Sequence, residues 1–395
     1  MTLAIDGGEA VRGSFLPYGR QLIGEDDIAA VAEVLRGDWL TTGPMVGAFE
    51  EAFAEVTGVK ESVAVSNGTA ALHAAMYALG IGPGDEVIVP TMTFAASANS
   101  VLYQGGRPVL VDVEPTTMLI DVAQVEAKIT AKTKAIVAVD YAGQPCDYER
   151  LLALAQAHDL AVVADACHAI GGSYQGRPVG SLADLSTFSL HPVKHMTTGE
   201  GGMITTDNED WARRMRVFRN HGITTDHRQR QDKGSWFYEM VDLGYNYRLT
   251  DFQCALGMSQ LRKLEDWVVA RQMLAGVYDE ALAGLDGVEP LVVRPEVEHA
   301  YHLYMVRVDM SRLRVDKAAV FQAMRGENIG VNVHYIPVHL HPFYRREMGT
   351  KVGDCPVAEA AYDELLTLPL YPQMDKEDVW DVVAALGKVM RAYQR

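Results

Sequence analysis

The chain reads as an α/β protein: a large domain with a mainly parallel, helix-covered sheet over residues 1–260, then a smaller α+β domain over 261–395. Three observations predict this. From about residue 61, short β-branched runs alternate with helix-period stretches. Those runs are apolar on successive residues, as in strands buried on both faces, rather than alternating. After about residue 285 the regular alternation gives way to isolated strands and helices.

Seven strand runs come in order: "SVAV", "EVIVP", "PVLVDV", "AIVAVDYAG", "AVVADAC", "LSTFSL" and "GMITT". After the first, "SNGTAALHAAMYALG" predicts a helix opening at Gly68-Thr69, with Ala70, Ala71, Ala74, Ala75 and Ala78 along one face. Residues 221–236, "HGITTDHRQRQDKGSW", are polar and aperiodic, the pattern of a long surface loop. "LTDFQCALGMSQLRKLEDWVVARQMLAGVYDEAL" predicts one long amphipathic helix, and "HLYMVRV" and "VNVHYIPV" predict strands of the smaller domain.

The formal net charge of −17 argues against a nucleic-acid surface, which needs a basic patch. It leaves a small anionic ligand open, because the local field decides that. Four scattered cysteines form no CxxC pair, so neither a zinc ribbon nor a redox motif is signalled, and a reducing compartment fits. "MTLAIDGGEAVRG" lacks the charged and apolar regions of a signal peptide, and no apolar run would span a bilayer. The expectation is a cytoplasmic protein without a membrane partner.

No strand is followed by the dinucleotide-binding glycine fingerprint; "GIGPGD" follows a helix and is a turn. "VSNGTAAL" is a strand, a short turn and a helix N-terminus, which serves either as a phosphate cradle or as an ordinary N-cap. Asp165 ends a buried strand, where a carboxylate needs a partner: a helix cap, or a cation such as a protonated pyridine nitrogen. Three residues on, His168 falls near the same strand end. In "TFSLHPVKHMTTGEGGMITT", His191 and His195 have metal-ligand spacing only on a helix, and Pro192 disfavours one, so no metal site is expected. Lys194 is a strand-end amine suited to covalent bonding with an aldehyde. Phosphate cradle, carboxylate and lysine together match pyridoxal 5'-phosphate (PLP), with pyridoxamine 5'-phosphate as its aminated form.

"WLTTGPMVGAFEEAFAEVTG", "AVSNGTAALHAA", "VIVPTMTFAASANSVLYQGGRPVLVDV", "ADACHAIGG", "FSLHPVKHMTTGEGGMITT" and "GYNYRLTDFQCALG" resemble, in order, the DegT/DnrJ/EryC1/StrS sugar aminotransferases. The resemblance implies the three-layer fold of fold type I PLP enzymes and covers nearly the whole chain. It implies that Lys194 carries the cofactor, Asp165 pairs with the ring nitrogen, and His168 sits beside the ring hydroxyl. Phe94 would stack on the ring. Gly68, Thr69 and Ser189 would bind the phosphate. Asn246 would reach the partner subunit's cofactor, implying a homodimer with shared active sites. Thr42, Gly43, His334, Tyr335 and His339 are the expected contacts of a nucleotide-linked keto-sugar. "ENIGVNVHYIPVHLHPFYRR", "LLTLPLYP" and "WFYEMVDLGYNYRLTDFQ" further resemble the pseudaminic acid branch of the family. That branch implies amino transfer from L-glutamate to C4 of a UDP-linked 4-keto-6-deoxy-N-acetylhexosamine. A dTDP- or GDP-linked sugar, amination at C3, a PLP-dependent sugar dehydratase and a non-catalytic sensor are the rival readings. Lysine rather than histidine at 194 speaks against the dehydratase.

Overall fold

The structure, a computed structural model, describes residues 2–232 and 234–395, with His227 described for its backbone only. All seven expected strand runs form strands: β1 (Glu61–Val65), β2 (Glu86–Pro90), β3 (Arg107–Val111), β4 (Thr133–Val139), β5 (Ala161–Asp165), β6 (Leu185–Ser189) and β7 (Gly202–Thr206). They make one sheet in the order β1-β7-β6-β5-β4-β2-β3. β7 is antiparallel to both neighbours, and every other pairing is parallel. β1, β5 and β6 therefore point the same way, and their carboxyl ends share one edge of the sheet. Ligands of open α/β sheets collect at such an edge.

The central strands are buried along almost their whole length, so both faces are covered, as successive apolar residues require. α3 (Gly68–Ala78) opens where expected. Its alanines, with no side-chain bulk, let it press against β6 and β7. α4 (Ala95–Tyr103) follows β2 and packs on α3. α2 (Pro44–Thr57) stands beside β1, and both it and α1 (Glu25–Arg36) pack against α5 (Asp251–Leu261).

Three expectations change in detail. The predicted long helix is two, α5 and α6 (Leu264–Leu282), separated at Arg262-Lys263. The break turns the Lys263 ammonium to the α1 carboxylates of Asp26 and Asp27, at 2.7 and 2.8 Å. The 221–236 loop contains a short helix, His227–Asp232. "VNVHYIPV" forms no strand; only Asn332 bridges, to Thr367. Pro337, which has no N–H, ends any ladder there.

The smaller unit has a three-stranded antiparallel sheet, β8 (Val288–Pro290), β9 (Tyr304–Val308) and β10 (Leu365–Leu368), with helices α7 (Lys317–Gly326) and α8 (Lys376–Tyr393). It has its own core, and α6 spans both: Leu264, Trp267 and Val268 join the first core, Leu274, Tyr278 and Leu282 the second. The N-terminal segment, expected with the large domain, instead places Leu3 and Leu16 in the second core. Glu327 holds it there. Its carboxylate accepts from Ala4 N and Val11 N, both at 2.9 Å, and from Lys388 Nζ at 2.8 Å. These bonds hold the Glu327 carboxyl below its usual range against the opposing effect of burial. Removing one partner of a buried pair leaves the other charge uncompensated. Glu327→Ala is expected to destabilise the fold by about 3–5 kcal/mol and to expose residues 4–12 to trypsin at Arg12; chemical denaturation with limited proteolysis checks both.

Candidate active site

The carboxyl ends of β1, β5 and β6 open into a cavity of about 680 Å³ lined by Gly68, Thr69, Asp165, Ser189 and Lys194. That volume is ample for a cofactor with a sugar above it. Each wall follows from local sequence. Asn67 caps α3 through its side chain, accepting from Ala70 N at 2.8 Å, which leaves the first helical N–H groups without intrahelical acceptors. A Cβ on Gly68 would lie 2.9 Å from Ser189 Cβ, so only glycine keeps this cradle open. A helix N-terminus with a serine opposite fits a phosphate.

Asp165 is only 6 % exposed. Its Oδ2 accepts from Ser97 Oγ at 2.6 Å and its Oδ1 from Cys167 N at 3.3 Å, and neither donor is a cation. Ser97 is in turn paired with Thr93 Oγ1 at 2.7 Å. A buried carboxylate held only by neutral donors fits a protonated ring nitrogen, the charge its burial lacks. Phe94, the N-cap of α4, presents a ring 58 % exposed that lines the cavity, as a stacking wall requires.

Lys194 follows β6 in a turn, its N–H donating to His191 O at 2.9 Å. The loop then closes through Thr197 Oγ1 and Thr198 N, both donating to Leu190 O. No helix forms, so His191 and His195 do not share a face: His191 is exposed, while His195 is buried with Nε2 2.9 Å from Ala300 O. Among the described residues no group of three His, Cys, Asp or Glu side chains could hold a metal. Burial pushes the Lys194 amine below the usual lysine range, opposed by Cys167 and Asp165. A neutral amine is what bonds to an aldehyde.

His168 lies beside this pair, its Nε2 2.9 Å from Tyr335 Oη. Tyr335 and His334 enter from the C-terminal segment and line the cavity. Burial pushes the His334 imidazole down to about 3, with Lys194 adding to the effect, so it is neutral at ordinary pH.

Four expected site residues lie elsewhere. His339 is fully buried, with Nδ1 2.6 Å from Thr91 Oγ1 and Nε2 2.8 Å from Glu359. A short 3-10 turn, Val338–Leu340, tucks it under the surface, so it braces the segment and does not line the cavity. Thr42 and Gly43 line a second cavity of about 640 Å³, with Asn220 and Arg248. Asn246 is exposed and bridges to Asn220. Conversely, sequence reasoning missed Ser97, Tyr18 and His302. Tyr18 and His302 line the cavity from the N-terminal segment and the approach to β9, where no motif marks them. Ser97 sits in "TFAAS", and its i+3 spacing from Phe94 is a signal that could have found it.

The model of the DegT/DnrJ/EryC1/StrS aminotransferase family matches residues 21–387. The chain is 42 % identical over 382 residues to the spore coat polysaccharide biosynthesis protein SpsC of Bacillus subtilis, covering 96 % of this chain and 98 % of that one. Among solved structures it resembles the PMP form of a putative sugar aminotransferase, Spr1654, from Streptococcus pneumoniae. That likeness has a TM-score of 0.90 and 33 % identity, and covers 95 % of this chain and 99 % of that one. It also resembles Helicobacter pylori PseC, an aminotransferase involved in the biosynthesis of pseudoaminic acid, with a TM-score of 0.89 and 30 % identity over 96 % of this chain and 100 % of that one.

Behind Asp165, one strand over, lies Asp140, whose N–H donates to Asp165 O at 3.1 Å. Its Oδ1 accepts from Cys146 N and Tyr148 Oη, both at 2.9 Å, while Oδ2 is buried without a partner. Burial pushes its carboxyl up to about 7, and Asp165 adds to the shift. Between the ordinary carboxylate range and about 7, the folded form keeps a proton that the unfolded form has lost. Stability from this group is therefore full at low pH and declines as pH rises to about 7. Asp140→Asn, a neutral mimic of the protonated acid, is expected to melt above the wild type at pH 8 and to converge with it near pH 4. The difference at pH 8 should be on the order of a few kcal/mol, read by calorimetry at the two pH values.

Proposed function

Since the chain belongs to the DegT/DnrJ/EryC1/StrS aminotransferase family and is a PLP-dependent sugar aminotransferase, we propose that it moves the amino group of L-glutamate to C4 of a UDP-linked 4-keto-6-deoxy-N-acetylhexosamine. One observation carries the amino-transfer chemistry: Lys194, Asp165 and the Gly68–Thr69 cradle line one cavity with room above them. The likeness to PseC and the branch-like C-terminal segments support the choice of sugar.

PLP, when bound, supplies an electron sink for the carbon that loses its proton. The residues do the rest. Gly68, Thr69 and Ser189 would hold the phosphate, and Phe94 would cover the ring. The Asp165 carboxylate, oriented by Ser97, would keep a proton on the ring nitrogen. His168, tied to Tyr335, would stand beside the ring hydroxyl. Lys194 Nζ takes the α-proton of the donor and returns a proton to the accepting carbon, general base then general acid.

The active form is a homodimer with shared sites. The segment before Asn246 supports this: Trp236 is 85 % and Leu243 68 % exposed, and Phe237, Met240 and Val241 are also exposed. A contiguous apolar stretch of this kind marks an interaction surface. Thr42, Gly43, Asn220 and Arg248 meet at one cavity beside Asn246, as a site completed by a second copy requires. No helix among the described residues is long and apolar enough to cross a membrane.

Adding L-glutamate to the PLP-loaded protein should replace the PLP absorption band with that of pyridoxamine phosphate, and the UDP-linked keto-sugar should restore it. If glutamate works and only dTDP- or GDP-linked keto-sugars restore the band, the choice of sugar falls while amino transfer stands. Lys194→Ala should abolish both spectral changes, and normal turnover in that variant would overturn the role given to Lys194. Leu243→Asp should shift the protein toward monomer in light scattering and weaken PLP retention; a PLP-retaining dimer would count against the shared site.

A further inference from the structure

Arg271, on α6, is 1 % exposed, and no carboxylate among the described residues pairs with it. Its partners are three backbone carbonyls. Nη1 donates to Leu370 O at 2.8 Å and to Tyr301 O and His302 O, both at 3.3 Å. Tyr301 and His302 belong to the strap 299–303 that leads into β9, and Leu370 lies just past β10. One guanidinium thus ties α6 to two other chain segments. All three bonds fall on a single nitrogen, and Nε is buried with no partner. Burial pushes the group down to about 10, so at neutral pH it keeps its charge. Carbonyl dipoles solvate that charge in part, but a buried cation without a counter-ion remains costly. Orphaned buried donors are uncommon and ask for a reason.

The surroundings supply one. Arg271 lines a small cavity of about 10 Å³, room for one water or one monatomic ion. Arg20, Lys194, His195 and Trp267 line it too, and no carboxylate does. Arg20 comes from the N-terminal segment, is exposed, and forms no ion pair among the described residues. The Trp267 indole N–H, in a residue 8 % exposed, likewise has no acceptor among them. Other polar groups of the lining are already engaged. The Gln260 amide bonds Leu22 O, Asp27 and Thr197 N, and Thr197 Oγ1 donates to Leu190 O. Lys194 lines this cavity and the active-site cavity alike, so the two meet at that side chain.

We propose that this cavity is a chloride site, in which Arg271, Arg20 and the Trp267 N–H hold one monatomic anion beside Lys194. Two guanidinium groups and an indole donor suffice for the anion, whatever the state of the Lys194 amine. Size selects the class of ligand: an oxyanion such as phosphate or sulfate is too large for a space of about 10 Å³. The rival occupant is a water, which could accept from Arg271 and donate to His195 Nδ1. That nitrogen is a bare lone pair in the neutral ring, because Nε2 donates to Ala300 O at 2.9 Å. A water leaves the charge of Arg271 standing, whereas an anion cancels it. With the charge balanced, Arg271 holds the strap and Leu370 against α6. Chloride therefore stabilises the joint between the two cores.

The first test uses the full PLP-loaded chain, crystallised with sodium bromide in place of sodium chloride. An anomalous bromide peak between Arg271 and Trp267 is expected, and a water there without anomalous signal overturns the proposal. The second test is made in solution, following the melting temperature against sodium chloride concentration. A ligand of the folded state alone raises the midpoint further with each increment in the logarithm of its concentration. General salt effects act on wild type and variants alike, so the difference between them reads the site. Arg20→Gln, at an exposed position, should raise the half-saturating chloride concentration by about five-fold or more, the worth of one charge about 4 Å away in water. Arg271→Gln should remove the chloride-dependent rise. If Arg20→Gln follows the wild type at every chloride concentration, a bromide peak marks an adventitious ion only, and the proposal falls. A folded Arg271→Gln that keeps the full rise overturns it equally. Should Arg271→Gln not fold, the bromide peak and Arg20→Gln decide without it. No readout needs glutamate or sugar, so a failure of amino transfer leaves the chloride site standing, and an empty or water-filled cavity leaves amino transfer standing.

Discussion

A carboxylate held by neutral donors at the end of a strand buried on both faces, Asp165, is the constraint around which the site is arranged. Its two partners are a serine hydroxyl and a backbone amide. Partnering of this kind satisfies lone pairs and leaves the charge standing. The neighbouring strand end repeats the problem and solves it differently: Asp140, equally deep, keeps its proton up to about pH 7. The contrast is informative. Asp140 lies behind the cavity wall, whereas Asp165 is part of that wall. The sheet order makes this possible, since β7, slipped antiparallel between β1 and β6, lets the 190–201 loop return Lys194 to the same edge.

The second core closes what the first opens. Tyr18 from the N-terminal segment, His302 from the strap, and His334 and Tyr335 from the C-terminal segment form walls that the strand ends alone do not supply. These walls come from chain regions far apart in sequence, and α6, shared between the two cores, fixes their distance from β5 and β6. Glu327 extends the arrangement to the N-terminus, which would otherwise be free to move Tyr18.

How legible the site was in the sequence depended on how local the cause was. Strands of successive apolar residues, the helix opening at Gly68 and the strand-end positions of Asp165 and Lys194 are set by neighbours a few residues away, and they were readable. Of the C-terminal histidines, His334 lines the cavity as expected, but the place of His339 was not readable: it pairs with Thr91 and Glu359 below the surface, a choice made by a 3-10 turn and by contacts across the chain. The same holds for His302, a single ring in "AYHLYMV" whose place depends on Gly143 and Arg271, 159 and 31 residues away. The two-helix break at Lys263 was hidden because its cause, Asp26 and Asp27, lies near the other end of the chain.

Net charge is a poor guide to such a site, and the distribution of ion pairs shows why. Of the 52 acidic residues, several are committed to cations elsewhere, as in Glu50 with Arg219, Glu114 with Arg294 and Glu327 with Lys388. The cavity wall carries a helix N-terminus and one amine, beside the carboxylates of Asp165 and Glu200, and is suited to a cofactor phosphate but short of the cations that a nucleotide diphosphate calls for. Those cations gather instead at the second cavity, with Thr42 and Gly43. There Arg248 donates to the Asn220 amide at 2.8 Å rather than to a carboxylate. Burial and the nearby Arg219 lower its pKa, as expected of a cation without a counter-ion beside it.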